Sequence, residues 1–297
     1  MTGSNDKPTI LLQLDVDPHP SVFDSATAID AGVDRLLTFG GVLVEQVRGL
    51  VHGALFTRGV SELNRTAVFV GGSSVAAAES LYNEAIAAFF GPFRVSVMLD
   101  PNGANTTAAA AALAASEGMG GSIEGARAAV LAGTGPVGMR VARLLAKLGA
   151  DVALGSRDAG RAHAIAKNMA AQTGTSIGGF ATHDPKSLEE GLRGVSIVVA
   201  AGALGVPLLP LDIRERIESL RVAIDLNAVP PAGIEGIDPG DKKTNRDGVL
   251  TWGALGVGGM KMKIHKKAIQ ELFVANHLTL DAEGILDIGR AIVDKKV

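Results

Sequence analysis

Apolar residues recur along the chain in short unbroken runs rather than in alternation with polar ones. Thr9-Ile10-Leu11-Leu12-Gln13-Leu14 comes first, followed by Thr66-Ala67-Val68-Phe69-Val70 and Arg94-Val95-Ser96-Val97-Met98-Leu99. Further runs occupy 127–132, 151–154, 197–201 and 222–226. Runs of this kind fit strands covered on both faces, as in a parallel sheet. Many of them break into glycine or proline, and helical segments follow. Helices are predicted over 21–31, with Ser21 as cap, over 75–90, and over the Ala-rich 105–117. In the remainder they are predicted over 139–148, about 263–274 and 281–292. Strand, loop and helix in repetition predict an α/β protein of two domains, each with a mainly parallel sheet and with a ligand cleft between them. Gly118, Gly120 and Gly121 set the boundary. The first domain is expected over 1–118 and the second over 119–280, with the helix in 281–297 packing back on the first.

Composition sharpens this picture. The 297 residues are 47% hydrophobic, enough for two cores, while 38 glycines and 4% aromatics suit small helices packed closely on strands. A net charge of −3 argues against a general polyanion binder, so no nucleic-acid partner is expected. The absence of cysteine excludes disulfides, thiolate zinc sites and cysteine nucleophiles. No apolar run reaches the roughly 18 residues of a membrane span. The N-terminus, Met1-Thr2-Gly3-Ser4-Asn5-Asp6-Lys7-Pro8, lacks a basic-then-apolar leader. A cytoplasmic protein is therefore expected. No His/Asp/Glu cluster has metal-ligand spacing, and no metal is expected.

The most informative motif is Gly133-Thr134-Gly135-Pro136-Val137-Gly138, placed between a predicted strand and a predicted helix. Gly133 permits the sharp turn, Gly135 lets backbone N–H groups reach a pyrophosphate, and Gly138 lets helix and strand pack closely. The helix N-terminus adds partial positive charge there. This is the pattern of a Rossmann-type domain. An NAD site usually carries Asp or Glu at the end of the next strand, but this chain has Gly155-Ser156-Arg157-Asp158. Ser156 and Arg157 suit a 2′-phosphate, and Asp158 reads better as a helix cap. The cofactor expected is NADP, with NAD also admitted because nothing repels it. Ala201 and Gly202 after the fourth strand, and Asn227 after the fifth, end strands where open α/β sheets bind ligands. Each of these two stretches also reads as an ordinary loop.

Missing residues narrow the chemistry. The single tyrosine, Tyr82, has Ile86 four positions on, so no Tyr-x-x-x-Lys acid/base pair exists. That removes short-chain dehydrogenases, and the lack of cysteine removes zinc alcohol dehydrogenases and thioester-forming reductases. A hydride transfer needing no strong acid or base remains.

Seven blocks then carry a family resemblance. They are Gln13-Leu14-Asp15-Val16-Asp17 with Pro20-Ser21-Val22-Phe23-Asp24; Phe69-Val70-Gly71-Gly72; Phe89-Phe90-Gly91-Pro92-Phe93-Arg94; Met98-Leu99-Asp100; Asn102-Gly103-Ala104-Asn105-Thr106-Thr107; Val130 through Arg140; and Trp252-Gly253-Ala254-Leu255-Gly256, running on to Lys261-Met262-Lys263-Ile264-His265. Over nearly its whole length the sequence resembles the NADP-dependent methylene-tetrahydromethanopterin dehydrogenases of methylotrophic bacteria, the MtdB/MtdA family, and the MtdB branch most. The resemblance implies oxidation of methylene- to methenyl-tetrahydromethanopterin with NADP, in one-carbon metabolism and formaldehyde oxidation. It implies a pterin held by the first domain and the cleft, and a homo-oligomer, trimer or hexamer. Asp24 and Asp100 are the carboxylates expected at the reacting centre. Lys261, then Lys263, is expected to orient the substrate. Asn102, Asn105, Thr106 and Thr107 can bond a pterin edge or cap the Ala-rich helix. Asp17 can join them or simply shape its loop, and Lys266 and Lys267 read as a solvated face. His265 reads as a helix-end residue rather than a ligand. Rival readings are a methylene-tetrahydrofolate dehydrogenase and a non-catalytic NADP-binding redox sensor; cyclohydrolase activity lacks an identifiable base.

Overall fold

The computed structural model describes residues 7–295. The stretch weighed above for a leader lies, through Asp6, outside the described residues, as do the last two residues of the 281–297 tail. In chain order the first elements are β1 (Ile10–Asp15), α1 (Val22–Asp30), β2 (Arg35–Phe39), α2 (Val44–Leu55), β3 (Thr66–Gly71), α3 (Val75–Ala87), β4 (Ser96–Leu99) and α4 (Ala104–Gly118). Then come β5 (Arg127–Leu131), α5 (Pro136–Lys147), β6 (Asp151–Ser156), α6 (Ala159–Thr173), β7 (Ile177–Ala181), α7 (Pro185–Gly191), β8 (Ile197–Ala200), α8 (Leu211–Glu215) and β9 (Val222–Asp225). The hairpin β10 (Lys242–Arg246) and β11 (Val249–Trp252) precedes α9 (Ala254–Glu271), β12 (Thr279–Leu280) and α10 (Ala282–Asp294).

Backbone packing divides the chain into two compact units, one running to Thr106 and resuming at Met262, the other Thr107–Lys261. The divisions fall at 106/107 and 261/262 rather than at 118/119 and 280/281. A glycine break ends a helix, but it does not decide against which body each helical turn packs; α4 and α9 each run through a division.

In the first unit five parallel strands stand in the order β12-β4-β3-β1-β2. The central strands β1, β3 and β4 are almost wholly buried, as their apolar runs predict. Leu12, Leu14, Val68, Val70 and Val97 pack against Val47, Val51 and Leu55 of α2 and Leu81 of α3. Each such buried side chain contributes about 1.5–3 kcal/mol. β2 and α2 lie where the hydrophobic pattern makes no assignment: β2 is a partly exposed edge strand, and α2 carries Gly49 and Gly53.

In the second unit the order is β10-β11-β9-β8-β5-β6-β7, parallel except for the antiparallel β10. Counted from β5, the parallel strands read 3-2-1-4-5-6, the doubly wound dinucleotide-binding order. The strand order reverses between β5 and β8, so the crevice of this sheet opens at their carboxyl ends.

The stretch 256–259, which reads as a glycine loop, is instead the first turns of α9. A Cβ on Gly253 would strike the Asp238 carbonyl and one on Gly256 the Asp241 carbonyl, so these glycines serve close packing rather than flexibility. Among the described residues, no helix is long and apolar enough to cross a membrane.

Candidate active site

The glycine turn follows β5 directly. Ala132 adopts the left-handed region at φ 52°, and the Gly133 N–H donates to the Gly155 carbonyl at 3.0 Å. A Cβ at Gly133 would stand 2.6 Å from the Val130 carbonyl oxygen, and one at Gly138 only 2.7 Å from Gly133 Cα. Both positions therefore require glycine for backbone closeness. At Gly135 the nearest atom to an added Cβ is the Ala132 carbonyl oxygen at 3.4 Å, so that side of the turn is open. Gly135 caps α5 and Pro136 occupies its first turn, where the missing N–H costs nothing. Thr134 and Val137 are half-buried beside them. The α5 N-terminus and the space kept free at Gly135 fit a pyrophosphate.

β6 ends at Ser156, whose hydroxyl accepts the Asp158 N–H at 3.2 Å. Asp158 in turn accepts the Arg161 N–H at 3.0 Å and caps α6, so its carboxylate is engaged. Arg157 stands exposed between them. On the other side of the turn, the Ala201 N–H donates to the Leu131 carbonyl, and a Cβ on Gly202 would lie 3.5 Å from Ala132 Cβ. The loop after β8 thus borders the glycine turn at the reversal point. Asn227 is buried and shapes its own loop, donating to the Pro231 carbonyl and accepting the Val229 N–H, both at 3.0 Å. Beside it lies a cavity of about 350 Å³ lined partly by Val229, Ile237 and Arg246. Burial raises the Asp225 carboxyl above its usual range, against N–H groups of Ile234, Asn227 and Gly233 that lower it.

In the first unit, polar side chains converge at the carboxyl ends of β1, β3 and β4. Asp15 is fully buried and accepts the N–H groups of Asp17 and Ser21 at 2.9 and 3.0 Å. Asp17 accepts the N–H and hydroxyl of Ser73, joining the loops after β1 and β3. Asp24 sits in the first turn of α1, its N–H donating to Ser21 Oγ. A Cβ on Gly71 would lie 3.6 Å from both Asp15 Oδ2 and Asp24 Oδ2, so the two carboxylates flank that glycine. Asp100, fully buried, accepts the N–H groups of Asn105 and Thr106 and the Thr106 hydroxyl. Asn105 also donates to the Leu99 carbonyl. The side chains of Asn105 and Thr106 are thus engaged around the start of α4. Asn102 is exposed in the left-handed region at φ 52°, and Thr107 is half-buried.

His265 is not at a helix end. It lies well within α9, fully buried, its ring stacked on Phe69 with centroids 5.7 Å apart. Nε2 is 3.9 Å from Asp24 Oδ1 and Nδ1 is 3.9 Å from Asp100 Oδ2.

Residues 22–102 match the family model for the N-terminal domain of methylene-tetrahydromethanopterin dehydrogenase. Over 271 residues the chain is 31% identical to the NAD(P)-dependent methylenetetrahydromethanopterin dehydrogenase of Methylorubrum extorquens, covering 89% of this chain and 91% of that one. The chain belongs to the methylene-tetrahydromethanopterin dehydrogenase family. Identity is higher, 43% over 281 residues, to the bifunctional protein MdtA of the same organism, with 95% and 98% of the two chains covered. The motif blocks alone point to the MtdB branch, whereas whole-chain identity ranks the bifunctional relative above the NAD(P)-dependent one.

Solved structures share the fold of this dehydrogenase family member. Shikimate 5-dehydrogenase from Listeria monocytogenes superposes with a TM-score of 0.53 at 16% identity, covering 94% of this chain and 96% of that one. Ornithine carbamoyltransferase from Pyrococcus furiosus gives 0.53 at 11% identity, covering 92% and 85%.

Lys261 and Lys263 both lie within α9, Lys261 half-buried and Lys263 exposed. Lys266 pairs with Asp30 at 2.7 Å and Lys267 with Glu271 at 2.6 Å, as expected of a solvated face. Sequence reasoning missed Asp15 and His265 as members of the polar cluster. The usable signal for His265 was spacing: it follows Lys261 by four residues, one turn along the same helix face. Among the described residues, no group of three or more acidic or histidine side chains could hold a metal ion.

Proposed function

We propose that this protein oxidises methylene-tetrahydromethanopterin to the methenyl form and transfers the hydride to NADP, with NAD also accepted. The observation that carries this reading is family membership over most of the chain, and it is supported by a glycine turn that leaves space at Gly135 beside a helix N-terminus. With the dinucleotide's phosphates at that turn, its nicotinamide would supply the hydride acceptor. Gly133, Thr134, Gly135, Pro136, Val137 and Gly138 hold the phosphates, Ser156 and Arg157 the 2′-phosphate, and Ala201, Gly202 and Asn227 shape the floor beside the ribose.

The methylene carbon lies between two nitrogens, so hydride loss leaves a cation delocalised over N–C–N and no proton moves. Catalysis by the chain's own groups is then orientation and charge. The carboxylate of Asp24 stabilises the developing cation, and Asp100 supports it from the cap of α4. Lys261 orients the pterin, with Lys263 assisting, while Asp17, Asn102, Asn105, Thr106 and Thr107 form or shape its polar surroundings. The enzyme works in the cytoplasm as a homo-oligomer.

The test is the initial rate of NADPH and methenyl product formation from methylene-tetrahydromethanopterin, with NADP and separately NAD, alongside methylene-tetrahydrofolate. Turnover of the methanopterin with a lower KM for NADP supports the reading. Turnover of the folate alone replaces the substrate, and cofactor binding without turnover of either carrier points to a redox sensor.

A further inference from the structure

His265 is fully buried, with a carboxylate on each side of its ring. A neutral imidazole has one N–H and one lone pair, so one of the two carboxylates would then face a lone pair. The imidazolium presents an N–H to both. The charged groups around it come from several elements: Asp24 from α1, Asp100 beyond β4, and Asp15 from β1 on the far side of Gly71. On its own helix Lys261 lies one turn earlier, and the adjacent Lys266 is paired with Asp30. Burial disfavours the charged ring, while two carboxylates at 3.9 Å favour it. The cluster holds more carboxylate groups than basic ones.

We infer that His265 is a positioning residue, an imidazolium held between Asp24 and Asp100 that keeps the Asp24 carboxylate ionised, in one orientation, and tied to the cap of α4. The Phe69 ring is stacked on it and the exposed Phe23 ring lies 6.2 Å away, while the imidazole itself has no solvent exposure. The inference rests on the proposed hydride transfer for its catalytic consequence, because only a correctly placed Asp24 carboxylate stabilises the cation. Its charge state stands independently of the substrate.

Two measurements on the full-length protein test it. Nitrogen-15 NMR of the wild-type imidazoles, with each of the other five histidines assigned by substitution, reads the His265 ring directly. Both ring nitrogens protonated at pH 7.5 is the expected result, and a neutral tautomer at that pH overturns the inference whatever the substrate proves to be. Steady-state kinetics of His265→Asn and His265→Gln then read the consequence. We expect kcat to fall by about 10- to 100-fold, the range typical of partners that orient a functional group. The KM for NADP should stay within about twofold; the wild type should lose kcat at alkaline pH as the imidazolium gives up its proton, and both variants should lack that decline. Unchanged kcat with an unchanged pH profile overturns the positioning role. Absence of turnover by the wild type with either carrier counts against the proposed reaction, and the NMR result is unaffected by it.

Discussion

The Thr106 hydroxyl donates a 2.6 Å hydrogen bond to Asp100 Oδ2, and neither side chain reaches solvent. Asp100 also accepts the N–H groups of Asn105 and Thr106, so one carboxylate organises the first turn of α4. Thr106→Val keeps the shape and removes one donor to a buried charge. The expected loss is about 1.5–3 kcal/mol, read as a shift in urea unfolding of the unit that contains it. An unchanged midpoint would show that the hydroxyl is not engaged as described.

Gly138→Ala tests the nucleotide turn. The added Cβ meets Gly133 Cα at 2.7 Å, and backbone cannot yield as a flexible side chain can. The KM for NADP should rise at least about tenfold, equivalent to ~1.4 kcal/mol of binding. Gly135→Ala meets no atom nearer than 3.4 Å in the free protein, so it should leave stability intact and impair only nucleotide binding. Measuring both variants by NADPH fluorescence and thermal melting separates the two roles.

Arg157 is exposed at the end of β6, while the neighbouring Asp158 is occupied in capping α6. Arg157→Ala should raise the KM for NADP by about 10- to 100-fold through loss of charge-assisted bonds to a 2′-phosphate. The KM for NAD should scarcely change. Equal effects on both cofactors would place Arg157 away from that phosphate.

Lys261 and Lys263 are separable by exposure, since Lys261 is half-buried and Lys263 exposed. Lys261→Ala should lower kcat/KM for the methylene substrate by about tenfold or more, and Lys263→Ala by less. The reverse order of effects would reassign the orienting role.

Asp241 offers a pH test of stability. Burial by itself raises its carboxyl pKa, but the Arg246 guanidinium and the Thr251 hydroxyl bond the charged form and hold it below the usual 3.8. A carboxylate depressed in the folded state contributes stability above its unfolded pKa and loses it as pH falls through the folded value. The destabilisation of Asp241→Asn should therefore be largest near neutral pH and shrink below pH ~4. A pH-independent difference would mean that the charge of Asp241 is not what stabilises this hairpin.

The turn and strand end proposed to hold the dinucleotide were legible as local structure because their requirements are local. Gly133, Gly135 and Gly138 act through backbone geometry within one turn, and Ser156-Arg157-Asp158 act at the end of the next strand. The caps Ser21 and Asp158 were legible for the same reason: each bonds an N–H three residues on. The edge strand β2 and the first turns of α9 were not. An edge strand need not be uniformly apolar, and glycines in a helix read as a loop until the backbone packed against them is known.

The sequence by itself determined the class of fold, the position of the glycine turn proposed to hold the nucleotide, and the type of cofactor, because hydrophobic runs and glycine spacing act between near neighbours in the chain. Only the tertiary structure decided that Asp15, Asp24, Asp100 and His265 form one cluster. These residues come from β1, α1, the end of β4 and α9, and parallel strand order brings them together at one end of a sheet. A histidine 241 positions from one carboxylate and 165 from the other (265 − 24 and 265 − 100) carries no local mark of its partners. The burial and the flanking carboxylates that act on its ring exist only once those strands and helices have closed around it.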